Sequence, residues 1–318
     1  DEADVIVVGG GPAGSSAALA SGRTGAKTVL IERFGCLGGV QTLGVAPLFM
    51  FPDPAIHGGI MQELISRMED AGAMRRESEL PKVDETSLIQ KMILDFKIRS
   101  KLPRRMYASA GFWGQWGRAF DGEYYKFLLD TMMQEAGVRL MYHTFAASVI
   151  REGNTLLGII IESPEGRKVV TGKVIIDATG MGDIARKSGA AVMGPEGFPV
   201  GPRKGRHTGM MIGYYIGGVN HETFDAFRKN NPQDWGQLFQ GVALVKQGIA
   251  EGYPVRDQGI VLYNLPHGRT WIQHAAYALS GGRGWHMAEQ TRGEIAIRKQ
   301  MFGLQKLLKD KVPGFEES

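Results

Sequence analysis

The chain opens on an unbroken apolar run, Val5-Ile6-Val7-Val8, and repeats the pattern at Thr28-Val29-Leu30-Ile31. Runs with no wet side predict parallel strands buried on both faces. Between them lies a helical stretch with Ala13, Ser15, Ser16, Ala17, Ala18 and Ala20, small enough to lie close on the strands, and Gly22 and Gly25 loosen and end it. After His57-Gly58-Gly59, the positions Ile60, Leu64, Ile65 and Met68 share one helical face, closed by Gly72. A further amphipathic helix is predicted from Asp84, with Ile89, Met92, Ile93 and Phe96 aligned. Tyr125, Leu128, Leu129, Met132 and Met133 then fall at i, i+3, i+4, i+7 and i+8, a core-facing helix stripe ending at Gly137. Val138 to Tyr142 is the next parallel strand.

From there the period changes. Phe145 to Arg151, Thr155 to Glu162 and Arg167 to Thr171 read as three short strands joined by Glu-Gly-Asn and Ser-Pro-Glu-Gly turns, an antiparallel meander. It leads into a buried strand, Val174-Ile175-Ile176-Asp177, that ends in Ala178-Thr179-Gly180 and continues through Gly182 to Asp183. Thr208 to Ile216, Gly259 to Asn264 and Arg269 to Ala275 are strand-like, with a polar, helical stretch over 221–252. The chain closes on a helix from Met287 to about Lys311, with Ile297, Met301, Leu304 and Leu308 on one side and Pro313-Gly314 at its end.

These elements predict an α/β protein: a Rossmann-like parallel sheet with an antiparallel three-stranded meander, plus a second domain built on an antiparallel sheet. The boundaries follow the changes of rhythm. Residues 1–74 and 121–190 form one nucleotide-binding domain, 75–120 a helical and aromatic insertion, 191–286 a substrate domain, and 287–318 a helix returning to the first domain. The insertion holds Ser109-Ala110-Gly111-Phe112-Trp113-Gly114-Gln115-Trp116-Gly117, which reads equally as a platform for a flat substrate and as a small core of its own.

The first strand stops at Gly9-Gly10-Gly11-Pro12-Ala13-Gly14. Gly9, Gly11 and Gly14 have the G-x-G-x-x-G spacing that turns a chain tightly, brings backbone N–H groups near a diphosphate, and points a helix N-terminus at its charge. Pro12 suits the first helical turn. The second strand ends in Glu32, eighteen residues beyond Gly14, where a carboxylate can accept hydrogen bonds from ribose hydroxyls and would repel a 2′-phosphate. Strand, loop, helix, strand and acid in this order predict a dinucleotide site and argue against NADP. A second glycine-rich loop, Arg33 to Gly44, follows at once; Gly38 and Gly39 keep it thin, and Gln41 and Thr42 can hydrogen-bond a ligand.

The run GGGPAG…ER-x-G-x-LGG-x-x-T-x-G resembles the signature of the FAD-dependent oxidoreductases with the glutathione-reductase-like two-domain fold. The resemblance spans Asp4 to about Glu317 and is strongest in 4–44 and 121–190. It implies that FAD is the cofactor and that the second loop runs beside the ribityl chain and flavin. It further implies that Ala146 lies beside the adenine through its backbone, that Ala178, Thr179 and Gly180 approach the cofactor, and that Asp183 lies nearby. The antiparallel sheet would roof the flavin, with the substrate in the cleft. Members of that group continue into a segment that completes the flavin site. The expectation here is therefore a carboxy-terminally incomplete version, a site closed in another way, or weak FAD binding.

With 318 residues, 37 basic against 33 acidic side chains and a formal charge of +4 without long like-charge runs, nothing demands a nucleic acid or a membrane. The single cysteine, Cys36, excludes an intrachain disulfide and any C-x-x-C redox pair, and is read as a small residue in a tight turn rather than as a redox or attachment site. No apolar run is long enough for a membrane span and no signal peptide opens the sequence, although the initiator Met is absent. A cytoplasmic protein is expected.

Candidates for proton transfer are two histidines. His57 reads as a helix-capping residue or a polar residue at the flavin edge. His207, within Arg203-Lys204-Gly205-Arg206-His207-Thr208, reads as a solvated basic loop or as the acid or base of a pocket for an anionic substrate. His207, His221, His267 and His274 show no metal-ligand spacing, so no metal is expected. The reading is an FAD-dependent oxidoreductase moving a hydride between a small organic substrate, polar or anionic, and flavin N5, with the electron acceptor open. The alternatives are an NAD-dependent dehydrogenase, a flavin monooxygenase, and a non-catalytic flavin-binding subunit or fragment.

Overall fold

The structure is a computed structural model that describes residues 1–50, 58–79, 117–191, 209–235, 240–277 and 286–318. His57, His207, the helix expected from Asp84 and the aromatic stretch 109–116 lie outside the described residues. Two compact units form, one from Asp1–Gly44 with Gly122–Pro199 and the other from Val45–Asp121 with Val200–Ser318.

The first unit is built on a six-stranded sheet. Strand β1 (Glu2–Val8) leads through α1 (Pro12–Arg23) to β2 (Thr28–Ile31), and α2 (Gly122–Glu135) leads to β3 (Arg139–Met141). The sheet continues with β4 (Phe145–Glu152), β5 (Thr155–Ser163) and β6 (Gly166–Asp177), and the short helix α3 (Asp183–Lys187) comes next. Strand order is β3-β2-β1-β6-β5-β4. The first three strands and the far end of β6 run parallel, whereas β4, β5 and the start of β6 form the antiparallel meander. All four residues of β2 are buried, as a two-faced apolar run requires.

The last strand of the meander and the returning strand are separate in the sequence pattern, yet they are one strand of twelve residues. Residues 166–171 pair with β5 and 171–177 pair with β1 without a turn between them. Gly172, which looks like a break in sequence, instead gives room: a Cβ there would lie 2.8 Å from the Ile6 side chain on the neighbouring strand. On α2 the predicted stripe Tyr125, Leu128, Leu129, Met132 and Met133 is buried throughout. The helix ends where Gly137 takes a φ of +66°.

The second unit contains a three-stranded antiparallel sheet with Thr270–Tyr277 between Val261–Asn264 and Met210–Ile216. Helix Met287–Lys311 buries Leu304, Leu307 and Leu308 in one core with Ile216, Ile260, Leu262 and Ile272. This differs from the expectation that the helix returns to the first domain. Its leucine face is covered by one face of the antiparallel sheet and by Phe224, Val245 and Phe315, and sequence periodicity names a buried face without naming its cover. Trp271, Tyr263 and Val261 point to the opposite face, where Leu48 and Leu265 complete a second cluster. Helix Ile60–Asp70 buries Leu64, Ile65 and Met68 as its spacing predicts.

Candidate functional site

At the end of β1 the chain turns through Gly9, whose φ of +97° is a left-handed conformation that L side chains rarely adopt. A Cβ on Gly9 would also sit 2.5 Å from the Ala178 carbonyl oxygen, so strand β1 and the turn after β6 meet backbone to backbone. Gly14 is the tightest position: an added Cβ would lie 1.7 Å from the Gly9 carbonyl oxygen. The third glycine thus lets α1 start directly against the strand end. Gly11 differs from both. Its backbone is extended, it stands just before Pro12 and Ala13 at the helix start, and an added Cβ would meet nothing nearer than Gly39 Cα at 4.0 Å. Two glycines of the triplet are therefore required by the protein's own packing, and the middle one borders open space at a helix N-terminus, which suits phosphate oxygens.

Glu32, only 7 % exposed, closes this turn from below. Its Oε2 accepts the Gly10 N–H at 2.6 Å and its Oε1 accepts the Phe34 N–H at 2.9 Å. Charge-assisted bonds of this kind are strong and fix both glycine loops to one carboxylate. Each oxygen can still accept a further donor, so ribose hydroxyls are compatible with these bonds. Arg33 beside it lies on the outside, its guanidinium 4.8 Å from the centre of the Phe34 ring.

The second loop interlocks with the first. The Gly38 N–H donates to the Gly10 carbonyl at 2.8 Å, and a Cβ on Gly39 would lie 2.8 Å from Gly11 Cα. Gln41 and Thr42 are buried; Tyr125 donates its hydroxyl to Gln41 Oε1 at 3.0 Å, and Thr42 donates to the Leu37 carbonyl at 2.6 Å. Burial pushes the Tyr125 hydroxyl well above its ordinary value, which keeps it a donor. The hydrogen bonds at Gln41 and Thr42 thus shape the loop itself. Val40 and Leu43, on either side of them, are exposed apolar side chains.

Beyond β6, Ala178 donates its N–H to the Val8 carbonyl, so the Ala-Thr-Gly turn starts in register with the end of β1. Asp177 organises the turn and the start of α3, and its role was not legible as a motif. Its Oδ1 accepts from the Thr179 N–H and hydroxyl, at 3.1 and 2.7 Å, and its Oδ2 accepts the Ala185 N–H at 2.8 Å. Burial alone would raise the Asp177 carboxyl, but the bonds from Ala185 and Thr179 outweigh it and hold the group below its ordinary value. Thr179 passes the chain on by accepting the Asp183 N–H at 2.8 Å, and Asp183 pairs with Arg186 at 3.1 Å. Gly180 and Gly182 both take left-handed conformations beside open space. The strand Val174–Asp177, expected to be buried, is only partly so, with Val174 51 % exposed because no described element covers that side. An acid at the very end of an apolar run, directly before a glycine turn, is the signal that could have singled out Asp177.

Ala146 is buried at the start of edge strand β4, and its carbonyl accepts the Lys187 ammonium at 2.7 Å. The preceding segment is tied to the acid, because Thr144 donates its N–H to the Glu32 carbonyl at 3.0 Å. The structure therefore gathers Gly9, Gly11, Pro12, Ala13, Gly14, Glu32, Gly38, Gly39 and Ala178 around one strand end, with Ala146 joined through the 143–146 segment.

In the second unit, His274 is buried and accepts the Arg256 N–H at Nε2, 3.3 Å away; burial pushes its imidazole down to about 4. His267 faces Asp121 at 3.9 Å, and His221 lies 3.3 Å from the Gly268 carbonyl. Among the described residues no three His, Cys, Asp or Glu side chains are grouped to hold a metal, and no helix is long and apolar enough to cross a membrane.

The fold is shared with flavoproteins of known structure. A geranylgeranyl bacteriochlorophyll reductase-like protein from Thermoplasma acidophilum matches 100 % of this chain at 16 % identity with a TM-score of 0.53. L-proline dehydrogenase from P. horikoshii matches 98 % of it at 13 % identity with a TM-score of 0.53. The myxobacterial chondrochloren halogenase CndH matches 100 % at 14 % identity with a TM-score of 0.50. The chain spans 64 % of the length of the first, 79 % of the second and 59 % of the third. At these identities the likeness is one of fold. Over residues 4–318 the sequence matches the family model described as FAD dependent oxidoreductase. This chain belongs to the FAD-dependent oxidoreductase family, whose cofactor is FAD.

Proposed function

We propose that the chain binds FAD along the glycine turns of its first unit and serves the transfer of a hydride between a small organic substrate and flavin N5. When bound, FAD supplies a two-electron hydride acceptor or donor. The start of α1 at Gly11, Pro12, Ala13 and Gly14 holds the diphosphate, and Glu32 accepts from the ribose hydroxyls. Gly38, Gly39, Gln41 and Thr42 form the wall along the ribityl chain, with Arg33 at its outer edge. Ala178, Thr179, Gly180 and Asp183 form the opposing wall, and the backbone of Ala146 meets the base. His57 and His207, both outside the described residues, are the candidates for moving the accompanying proton. The basic stretch around His207 suits a polar or anionic substrate, and the protein works in the cytoplasm.

The observation that carries this reading is the asymmetry of the glycine triplet. Gly9 and Gly14 are explained by contacts within the protein, whereas Gly11 borders open space closed on its far side by the second glycine loop. A fold that needed glycine only for its own packing would not keep the middle position bare. The family and the solved relatives support FAD as the occupant.

The test is a visible spectrum of the purified chain before and after addition of FAD, with heat-released cofactor identified by mass. A protein-bound flavin spectrum and released FAD are expected. Binding of NAD with no flavin would overturn the reading in favour of a nicotinamide dehydrogenase. Reduction of bound FAD by candidate substrates in the absence of oxygen then tests the hydride step, and a flavin that no substrate reduces would point to a binding subunit.

A further inference from the structure

Lys187 is half-buried, yet among the described residues its ammonium has no carboxylate within 4.0 Å. Its neighbour Asp183, the nearest acid on α3, pairs with Arg186 instead. The ammonium is held by the Ala146 carbonyl at 2.7 Å and by the Phe145 ring, whose centre lies 5.0 Å away. Burial lowers the affinity of this lysine for its proton and outweighs the more distant charges of Asp183 and Asp177, which favour the ammonium. A lysine on a five-residue helix would ordinarily extend into water, where its charge is better solvated.

The place it reaches explains the arrangement. Phe145 and Ala146 open edge strand β4, where pairing with β5 is irregular between Ala146 and Ser148. An edge strand start with an irregular register has backbone groups that no neighbouring strand fixes. The same segment hangs on the acid of the ribose site, since Thr144 donates to the Glu32 carbonyl and His143 donates its N–H to the Phe34 carbonyl at 3.2 Å. Phe145, the residue after Thr144, keeps 49 % of its surface exposed, so its ring offers a flat apolar surface.

We propose that Lys187 is a positioning residue of the base subsite: it fixes the Ala146 carbonyl and the Phe145 ring in one orientation, and so sets the affinity for the adenine end of the dinucleotide. The proposal rests on the FAD reading above. A cation–π contact and a charge-assisted hydrogen bond from one ammonium tie α3, which carries Asp183, to the strand that meets the base. Lys187 touches no reacting atom. Its effect falls on adenine-containing ligands and not on the flavin ring.

The experiment compares FAD with FMN, which has the flavin and one phosphate but no adenosine, by fluorescence titration of the full chain. Lys187→Met keeps the apolar stem and removes the ammonium; Lys187→Arg restores a cation. The expected result is about a tenfold weaker FAD affinity in Lys187→Met, unchanged FMN affinity and recovery in Lys187→Arg, with all three proteins melting within a few degrees of one another. Equal weakening of FAD and FMN would show a merely structural role and overturn the proposal, as would unchanged FAD binding in Lys187→Met. If the parent chain bound neither flavin, the FAD reading itself would fall and the proposal with it. If the parent bound FMN as tightly as FAD, the FAD reading could stand but the base subsite would not.

Discussion

The three glycines of the first turn look interchangeable in a motif, but at the scale of single residues they do different work. Gly14 lies against the Gly9 carbonyl, where a Cβ would be 1.7 Å from oxygen. Gly14→Ala should therefore destabilise the first unit by about 3 kcal/mol, the cost of forcing backbone apart in a packed site, as measured by chemical denaturation. For Gly11→Val the added Cβ meets nothing nearer than Gly39 Cα at 4.0 Å, at an ordinary negative φ. That variant should melt like the parent and fail to bind FAD, and retained binding would remove Gly11 from the phosphate site. His274 gives a second residue-level expectation. Its folded-state pKa of about 4 lies below the ordinary 6.5, so the unfolded chain takes up the proton more readily. The stabilisation is complete above about pH 6.5 and is lost as pH falls toward 4. Between pH 7 and pH 5 the second unit should lose about 2 kcal/mol through this group. His274→Gln should flatten that part of the profile in denaturation measured at the two values, and an unchanged profile would assign the acid sensitivity elsewhere.

At the scale of elements, apolar spacing was a reliable guide to which face is buried. The stripe on Gly122–Glu135 and the face of Ile60–Asp70 both lie inside, because helices of this length are held mainly by their apolar side. Spacing said less about partners and continuity. Two apolar segments separated by Thr171-Gly172-Lys173 became one strand, since Gly172 relieves a contact with Ile6 and makes no turn. The C-terminal helix found its cover within the second unit, where Leu304 is fully buried between Ile297 and Leu308 on a face shared with Ile216 and Ile272. Leu304→Ala should cost about 2–5 kcal/mol, the range for emptying a packed leucine site. Because FAD is proposed to bind the first unit, that loss should appear in the melting of the chain with little change in FAD affinity measured below the transition.

For the whole molecule, what the sequence determined is the part that depends on local order along the chain. Strand, glycine turn, helix, strand and acid come within thirty residues or so of one another, and each is set by backbone freedom, helix-end charge or apolar runs that neighbouring residues carry themselves. The α/β class, the dinucleotide turn and the family were legible for that reason. Only tertiary structure decided which distant groups meet: Glu32 on the Gly10 N–H, Gly38 on the Gly10 carbonyl, Asp177 across the Thr179 turn to Ala185, and Lys187 on Ala146. Those contacts join segments whose separation in sequence holds no periodic signal. They form because a buried carboxylate, carbonyl or ammonium must find a partner wherever the packed sheet brings one near.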